Sequence, residues 1–235
     1  MPLESAAMPD GYIRLVWLLV CIIAVLMFFL CYLIRRAKKR ESQNSCRAIE
    51  GLEAERRRVS RELHDTVLPL VRDAEVSALI RSICAGLMPP DFARLSLNDS
   101  LAELCMHFTK RAGIGCACSI EDGLTFTAYS PENRLHIYRM VQECFTNIEK
   151  HSGAGHTALV ARRSAGNILI CVSDDGKGIH GFKGAGLPAG AGLGITGMRQ
   201  RAAILGAKLE FISESGNGLM VRIEIPPAAT ESFIA

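Results

Sequence analysis

The stretch GLGITGMRQRAAILGAKLEF, Gly192 to Phe211, decides how the second half of this 235-residue chain is read. Gly190, Gly192 and Gly194 stand before a segment, ITGMRQRAAILGA, that predicts a helix stopped at Gly206. Free backbone N–H groups at such a start, together with the positive end of the helix dipole, favour a phosphate. Downstream, KLEFISESGNGLMVRIEIP predicts a closing hairpin with Gly216-Asn217-Gly218 at its tip. Two common phosphate motifs are excluded. No Gly-Lys-Ser/Thr follows the glycines, as a Walker loop requires, and no strand immediately precedes them, as a dinucleotide fingerprint requires. A glycine loop alone is a weak signal, so the flanking sequence must carry the rest.

Upstream, SPENRLHIYRMVQECFTNIEKHSG predicts a long helix: Ser130 caps it, Pro131 suits its first turn and Gly153 follows its end. On it Glu143 and Asn147 are four residues apart and share a face. Two oxygen-bearing side chains there can hold a hard cation such as Mg2+, although solvated helices carry such pairs routinely. The segment HTALVARRSAGNILICVSDDG predicts two strands around a Ser-Ala-Gly-Asn turn. It runs into DDGKG, Asp174 to Gly178, where an acid at a strand end can accept from a purine amino group. Gly176 and Gly178 would let backbone approach a flat ring. GIGCACSIE predicts a further strand, and GFKGAGLPAGAGLG a flexible glycine-rich loop. Helices and strands in this order point to an α/β sandwich, helices on a mixed sheet.

The first half reads differently. From Glu41 to about Arg72 one helix is expected, with Arg and Glu at pairing distances and apolar residues Ile49, Leu52, Val59, Leu63, Val67 and Leu70 at helical spacing. That stripe predicts a coiled-coil-like seam. His64 and Asp65, in RRRVSRELHDTVLPLV, lie beside it, where water and a partner can reach them. A second helix is expected through Val76, Leu79, Ile80, Ile83 and Leu87, ended by LMPP, with the bend between the two near Arg72-Asp73. A third, capped by Ser96 or Asn98, runs to about Arg111.

Before all of this, Leu15 to Ile34 is an uncharged apolar run on the order of 20 residues, enough for one transmembrane helix. Trp17 and Tyr32 stand near its ends as interfacial residues do, and Arg35, Arg36, Lys38, Lys39 and Arg40 follow it. Glu4 and Asp10 in the preceding tail, and the length of the run, argue against a cleaved signal peptide. The positive-inside rule puts the N-terminus outside and the rest in the cytoplasm. The outer tail is too short to bury a core, so no folded outer sensor is expected. The net charge is only +3 and its excess sits at the membrane edge, so a nucleic-acid partner is not expected. The nine cysteines include no CxxC pair and are read as reduced, small hydrophobes without metal.

Taken together and in this order, QECFTNIEKH, DDGKG and GAGLGITGM resemble the N, G1 and G2 boxes of the GHKL (Bergerat-type) ATP-binding fold. ERRRVSRELHDTVLP resembles the phosphoacceptor helix of two-component sensor histidine kinases of the nitrate-sensor and DesK-like branch, and LMPPDFARLSLNDSLAELCMHFTKRAGI resembles that branch's linker. The resemblance covers about Glu41 to Pro226. With the apolar run and its flanking charges, it divides the chain into a short outer tail over 1–11, a transmembrane helix over 12–34, a helical dimerisation and phosphoacceptor region over 35–111, an ATP-binding catalytic domain over 112–227 and a tail over 228–235. It implies a protein-histidine kinase using ATP and Mg2+, a homodimer in the bacterial inner membrane. The partner would be a response regulator receiver domain, of the LuxR type.

By the same resemblance His64 takes the γ-phosphoryl group and Asp65 accepts the imidazole proton. Asn147 ligates Mg2+ with Glu143 in support, and Lys150 and His151 reach phosphates. Asp174 reads the adenine amino group, with Gly176 and Gly178 shaping its pocket. Gly190, Gly192 and Gly194 hinge the lid. Two features depart from the family. Only roughly two dozen residues separate His64 from LMPP, far fewer than a long antiparallel pair rising 1.5 Å per residue would use, so the lower hairpin is shortened. Pro69 stands where this branch commonly has a polar amide associated with dephosphorylating the partner, which predicts weak or absent phosphatase activity. Two other readings are a non-catalytic ATP-binding regulator of another kinase and a GHKL serine kinase of the anti-sigma type.

Overall fold

The structure, a computed structural model, describes residues 25, 27–33, 36, 47–92, 94–179, 184–186, 192–213 and 216–228. The chain divides into two compact units, Met1–Arg47 and Ala48–Ala235. In the first, the described residues are helical and exposed, with the Phe29 and Tyr32 rings stacked at 6.5 Å. Most of the expected transmembrane run, and the basic residues after it except Arg36, lie outside the described residues. Among the described residues no helix is long and apolar enough to cross a membrane.

The second unit opens in helix α1 (residues 48–62), which continues as a π turn over Leu63–Val67 and a 3-10 turn over Leu68–Leu70. Pro69 lies in that tightened last turn, and the backbone is extended at Val71. Helix α2 (Ala74–Leu87) begins at Asp73, whose carboxylate accepts from the N–H groups of Glu75 and Val76 at 2.9 Å. The expected single helix to Arg72 is thus two residues shorter. The bend is made by Pro69 and the Asp73 cap together, although no Gly or Asn marks it. Helix α3 (Leu97–Ala112) is capped by Ser96, whose hydroxyl accepts from Asp99 N–H at 3.1 Å; Asn98 instead donates to the Leu124 carbonyl at 2.7 Å.

Strand β1 (Gly115–Ile120) leads to α4 (Pro131–Asn147), where Ser130 caps and Pro131 opens the first turn as its sequence dictates. The helix then loosens into a second π turn, Ile148–Ser152, before Gly153. Strands β2 (His156–Ser164) and β3 (Asn167–Asp174) pair antiparallel around Ala165 and Gly166, both at positive φ. Such a turn matches the twist of the strands it joins. Strand β4 (Gly184–Gly186) falls inside the segment read as a loop: it adds to the sheet edge against Phe211–Ser213. Glycines offer no side-chain alternation from which to read it. Helix α5 (Leu193–Ile204), β5 (Lys208–Ser213) and β6 (Leu219–Ile225) complete the unit.

The sheet order is β1-β2-β3-β6-β5-β4, parallel only between β1 and β2. Inward residues Leu159, Ile170, Val172, Val221 and Ile223 meet α3, α4 and α5 in one core. Phe108 of α3 stacks on Phe145 of α4 at 4.7 Å within it. This is the expected two-layer sandwich, and it leaves the far end of α4, the end of β3 and the start of α5 facing one another.

Candidate functional site

The site is built where those three elements converge. Asn147, Ile148, His151, Ser152, Asp174, Gly178, Ile179, Ile195, Phe211 and Val221 line a cavity of about 140 Å³. Its walls are mostly apolar, as a flat ring requires, with few polar groups among them. The π turn Ile148–Ser152 carries Lys150 and His151 just after Asn147, and π turns are frequent at functional sites.

The two acids of DDGKG have separate duties. Asp175 turns back to the start of β2: its Oδ1 accepts from Gly155 N–H and His156 N–H, each at 2.9 Å, and its Oδ2 meets His156 Nδ1 at 3.0 Å. The His156 N–H above all holds its carboxyl below the usual range. Asp174 lines the cavity, and partial burial pushes its carboxyl up despite the bond from Gly176 N–H at 2.9 Å. A β-carbon on Gly176 would run into the Ser152 carbonyl oxygen, and one on Gly218 into the Asp174 carbonyl oxygen. Gly218 also holds φ at 77°, so the hairpin tip and the acid are locked together by backbone contact. The hairpin pattern alone assigns Gly218 only a turning role.

Other residues singled out in the sequence are distributed around this cavity. Gly192 caps α5 and Gly194 lies in its first turn, where a β-carbon would meet the Glu143 carboxylate; Gly190 lies outside the described residues. Glu143 and Lys150 do not line this cavity. They line a second one of about 330 Å³ between α1, α2, α3 and α4, with Arg56, Arg111, Arg139 and Arg201. His64 sits in the π turn after α1, its Nδ1 2.9 Å from Asp65 Oδ1, with side chains 65% and 72% exposed. The acid therefore holds one ring nitrogen, and the ring stands open to an incoming group.

A buried carboxylate that no sequence pattern marks ties these parts together. Glu53 of α1 accepts from Arg139 Nε at 3.0 Å and from Arg201 at 2.8 Å, and these three side chains are 4%, 1% and 7% exposed. Arg139 also donates to the Gly86 and Leu87 carbonyls at the end of α2, at 3.2 and 2.8 Å. One guanidinium thus pins α1, α2 and α4, and its partner carboxylate reaches α5.

The cavity fits an adenine nucleotide on its own features: an apolar slot, an acid at a strand end, and glycines where any β-carbon would intrude. Among the described residues no cluster of three His, Cys, Asp or Glu could hold a metal ion. A lone Asn147 therefore fits Mg2+ only in the way that ion usually binds, with phosphates and water completing the shell.

Comparison with known proteins agrees with this geometry. Residues 132–229 match the family described as histidine kinase-, DNA gyrase B- and HSP90-like ATPase. The sensor histidine kinase MctS of Rhizobium johnstonii is 32% identical over 216 residues, which are 79% of this chain and 46% of that protein. The sensor histidine kinase LiaS of Bacillus subtilis is 27% identical over 202 residues, 73% of this chain and 54% of that protein. The chain thus spans about half the length of the curated relatives it matches. A solved histidine kinase domain, from the blue-light activated histidine kinase of Erythrobacter litoralis, superposes with a TM-score of 0.53 at 21% identity, covering 76% of this chain and 99% of that one. That likeness is one of fold.

Proposed function

We infer, from the premise that this chain belongs to the sensor histidine kinases carrying a GHKL ATPase domain, that it moves the γ-phosphoryl group of ATP onto His64 and then to an aspartate of a response regulator. The observation that carries this reading is the shared cavity of Asn147, Asp174 and the start of α5, in a chain that also presents an open His-Asp pair. Asp174 accepts from the adenine amino group while Ile148, Ile179 and Phe211 enclose the ring. The first turn of α5 offers free N–H groups to the phosphates. Asn147 would hold Mg2+, which when bound neutralises charge on the transferring phosphate. Asp65 takes the proton from the imidazole, so that the other ring nitrogen attacks with a free electron pair. Most of the acceleration comes from positioning, as phosphoryl transfer requires little covalent help.

Dimerisation and the membrane belong to the same reading. Leu52, Val67 and Leu70 of the stripe are exposed in a single chain, and a second copy would cover them. The uncharged run over 12–34 with basic residues behind it supports a single pass in the bacterial inner membrane, the N-terminus outside. A response regulator of the LuxR type is the expected partner. Pro69 in the 3-10 turn cannot orient water with a side-chain amide, so the kinase form should leave phospho-regulator intact. The test is incubation of the protein with labelled ATP and Mg2+. Acid-labile, alkali-stable label that vanishes in His64→Gln supports the reading. The 14-residue α2 favours a second reading, an ATP-binding regulator without transfer, and nucleotide binding with no phosphohistidine would establish that one instead.

A further inference from the structure

Three thiols converge at a place the nucleotide site does not use. Cys105 on α3 and Cys116 and Cys118 on β1 line one open cleft of about 420 Å³, together with Met106 and Lys110. Residues two apart on a strand point to the same face, so both β1 thiols turn toward α3. Cys105 is 3% exposed and belongs to the core, Cys116 is half-buried and packs against that core, and Cys118 is exposed. An all-structural reading accounts for Cys105 but gives no reason for sulfur at the two outer positions.

We propose that Cys105 and Cys116 form a dithiol that a hydroperoxide oxidises to a disulfide, stapling α3 to the edge of the sheet. The division of labour follows from the local chemistry. Cys116 packs against the core that contains Cys105, whereas Cys118 stays exposed, so Cys116 is the outer thiol set against Cys105, and the neighbouring sulfur lowers the thiol range of Cys116. Partial desolvation by its neighbours raises the thiol of Cys118, although the residue is exposed as a whole. Cys116 is therefore the half-buried thiol with the greater thiolate character, and thiolate character with access decides which cysteine reacts. Its sulfur attacks hydrogen peroxide: an S–O bond forms, the O–O bond breaks, and the departing hydroxide takes a proton to become water. Cys116 is then a sulfenic acid. The Cys105 sulfur attacks it, an S–S bond forms, the S–O bond breaks, and the oxygen leaves as water with the Cys105 proton. Two thiols and one peroxide give one disulfide and two waters. Cys116 and Cys118 are adjacent on one strand face and do not resolve each other.

The consequence is structural first. Helix α3 leads from α2 into the sandwich, and β1 is the edge strand it packs on. A covalent tie between them fixes the entry to the ATPase domain in its present register.

The test is a titration of the full chain, purified under reductant and freed of it, with hydrogen peroxide. The free-thiol count should fall by two, with a Cys105–Cys116 cross-linked peptide and a mass lower by two hydrogens. Cys118→Ser should behave the same. Cys116→Ser should lose the cross-link, and Cys105→Ser should leave a sulfenic acid on Cys116 that dimedone traps. The half-buried site makes Cys116→Ser the safer of the two for folding, and circular dichroism checks both. Oxidation confined to Cys118, disulfides only between chains, or a cross-link that survives Cys116→Ser would overturn the proposal. None of these readouts depends on ATP or His64, so their failure is separable from failure of the kinase reading.

Discussion

At the scale of the residue, Asp174, the proposed adenine acceptor, sets binding against stability. Its carboxyl is raised by burial, so the folded protein holds a proton there more tightly than the unfolded chain. Ionising Asp174 therefore lowers stability as pH rises through the window between its unfolded and folded values. Asp174→Asn should keep or raise the melting temperature of the nucleotide-free protein at neutral pH. The same change should weaken adenine nucleotide binding about 10- to 100-fold, the usual worth of a hydrogen bond to a charged group. Calorimetry reads both, and a variant that binds ATP like the parent would remove Asp174 from the site. In the parent, affinity should fall as pH drops through the raised Asp174 value, earlier than an ordinary aspartate would give. Gly176→Ala tests the backbone instead. Its β-carbon meets the Ser152 carbonyl, so the DDGKG turn must move and nucleotide binding should be lost, while Gly51→Ala, on exposed helix α1 with open space around it, should leave nucleotide binding unchanged. The place of Asp174 and Gly176 at the end of β3 was legible in DDGKG because an apolar strand runs into it. The separate duty of Asp175 was not, because its partners on β2 are about twenty residues away.

At the scale of the element, the helices that announce themselves by caps are the ones the sequence placed well. Ser130, Pro131 and Gly153 bound α4, and Ser96 bounds α3. Elements without local signals were missed: β4 is all glycine and alanine, and the π turns at Leu63–Val67 and Ile148–Ser152 look like ordinary helix in any periodicity. The Glu53 pin was illegible for a different reason. Its partners lie 86 and 148 residues away, and in the sequence Glu53 is one more charge on an Arg- and Glu-rich helix. Glu53→Ala would strand two buried guanidiniums, and removing one partner of such a set costs roughly 3–5 kcal/mol. Denaturant unfolding should show that loss, whereas Glu55→Ala, which breaks an exposed pair with Arg58, should leave stability nearly unchanged. Equal effects of the two would mean that Glu53 does not hold α1 to α4 and α5.

At the scale of the whole molecule, the sandwich was legible because its strands alternate and its helices carry stop signals. The order of the three motifs then pointed to the ATPase family that residues 132–229 match. The relation of the phosphoacceptor helix to that domain was not legible, since it rests on long-range ion pairs and on a shortened hairpin that has no pattern of its own. His64 stands exposed in the π turn that follows α1, outside the ATPase sandwich. The proposed function therefore rests on one transfer, from the cavity at Asn147 and Asp174 to the ring at position 64. Mapping the phosphorylated residue after incubation with Mg-ATP, at a nucleotide concentration that just saturates the parent, tests that transfer most directly. The expected result is phosphate on His64, lost when Asp174→Asn empties the cavity. Phosphate on another residue, or label on His64 undiminished in Asp174→Asn, would contradict it.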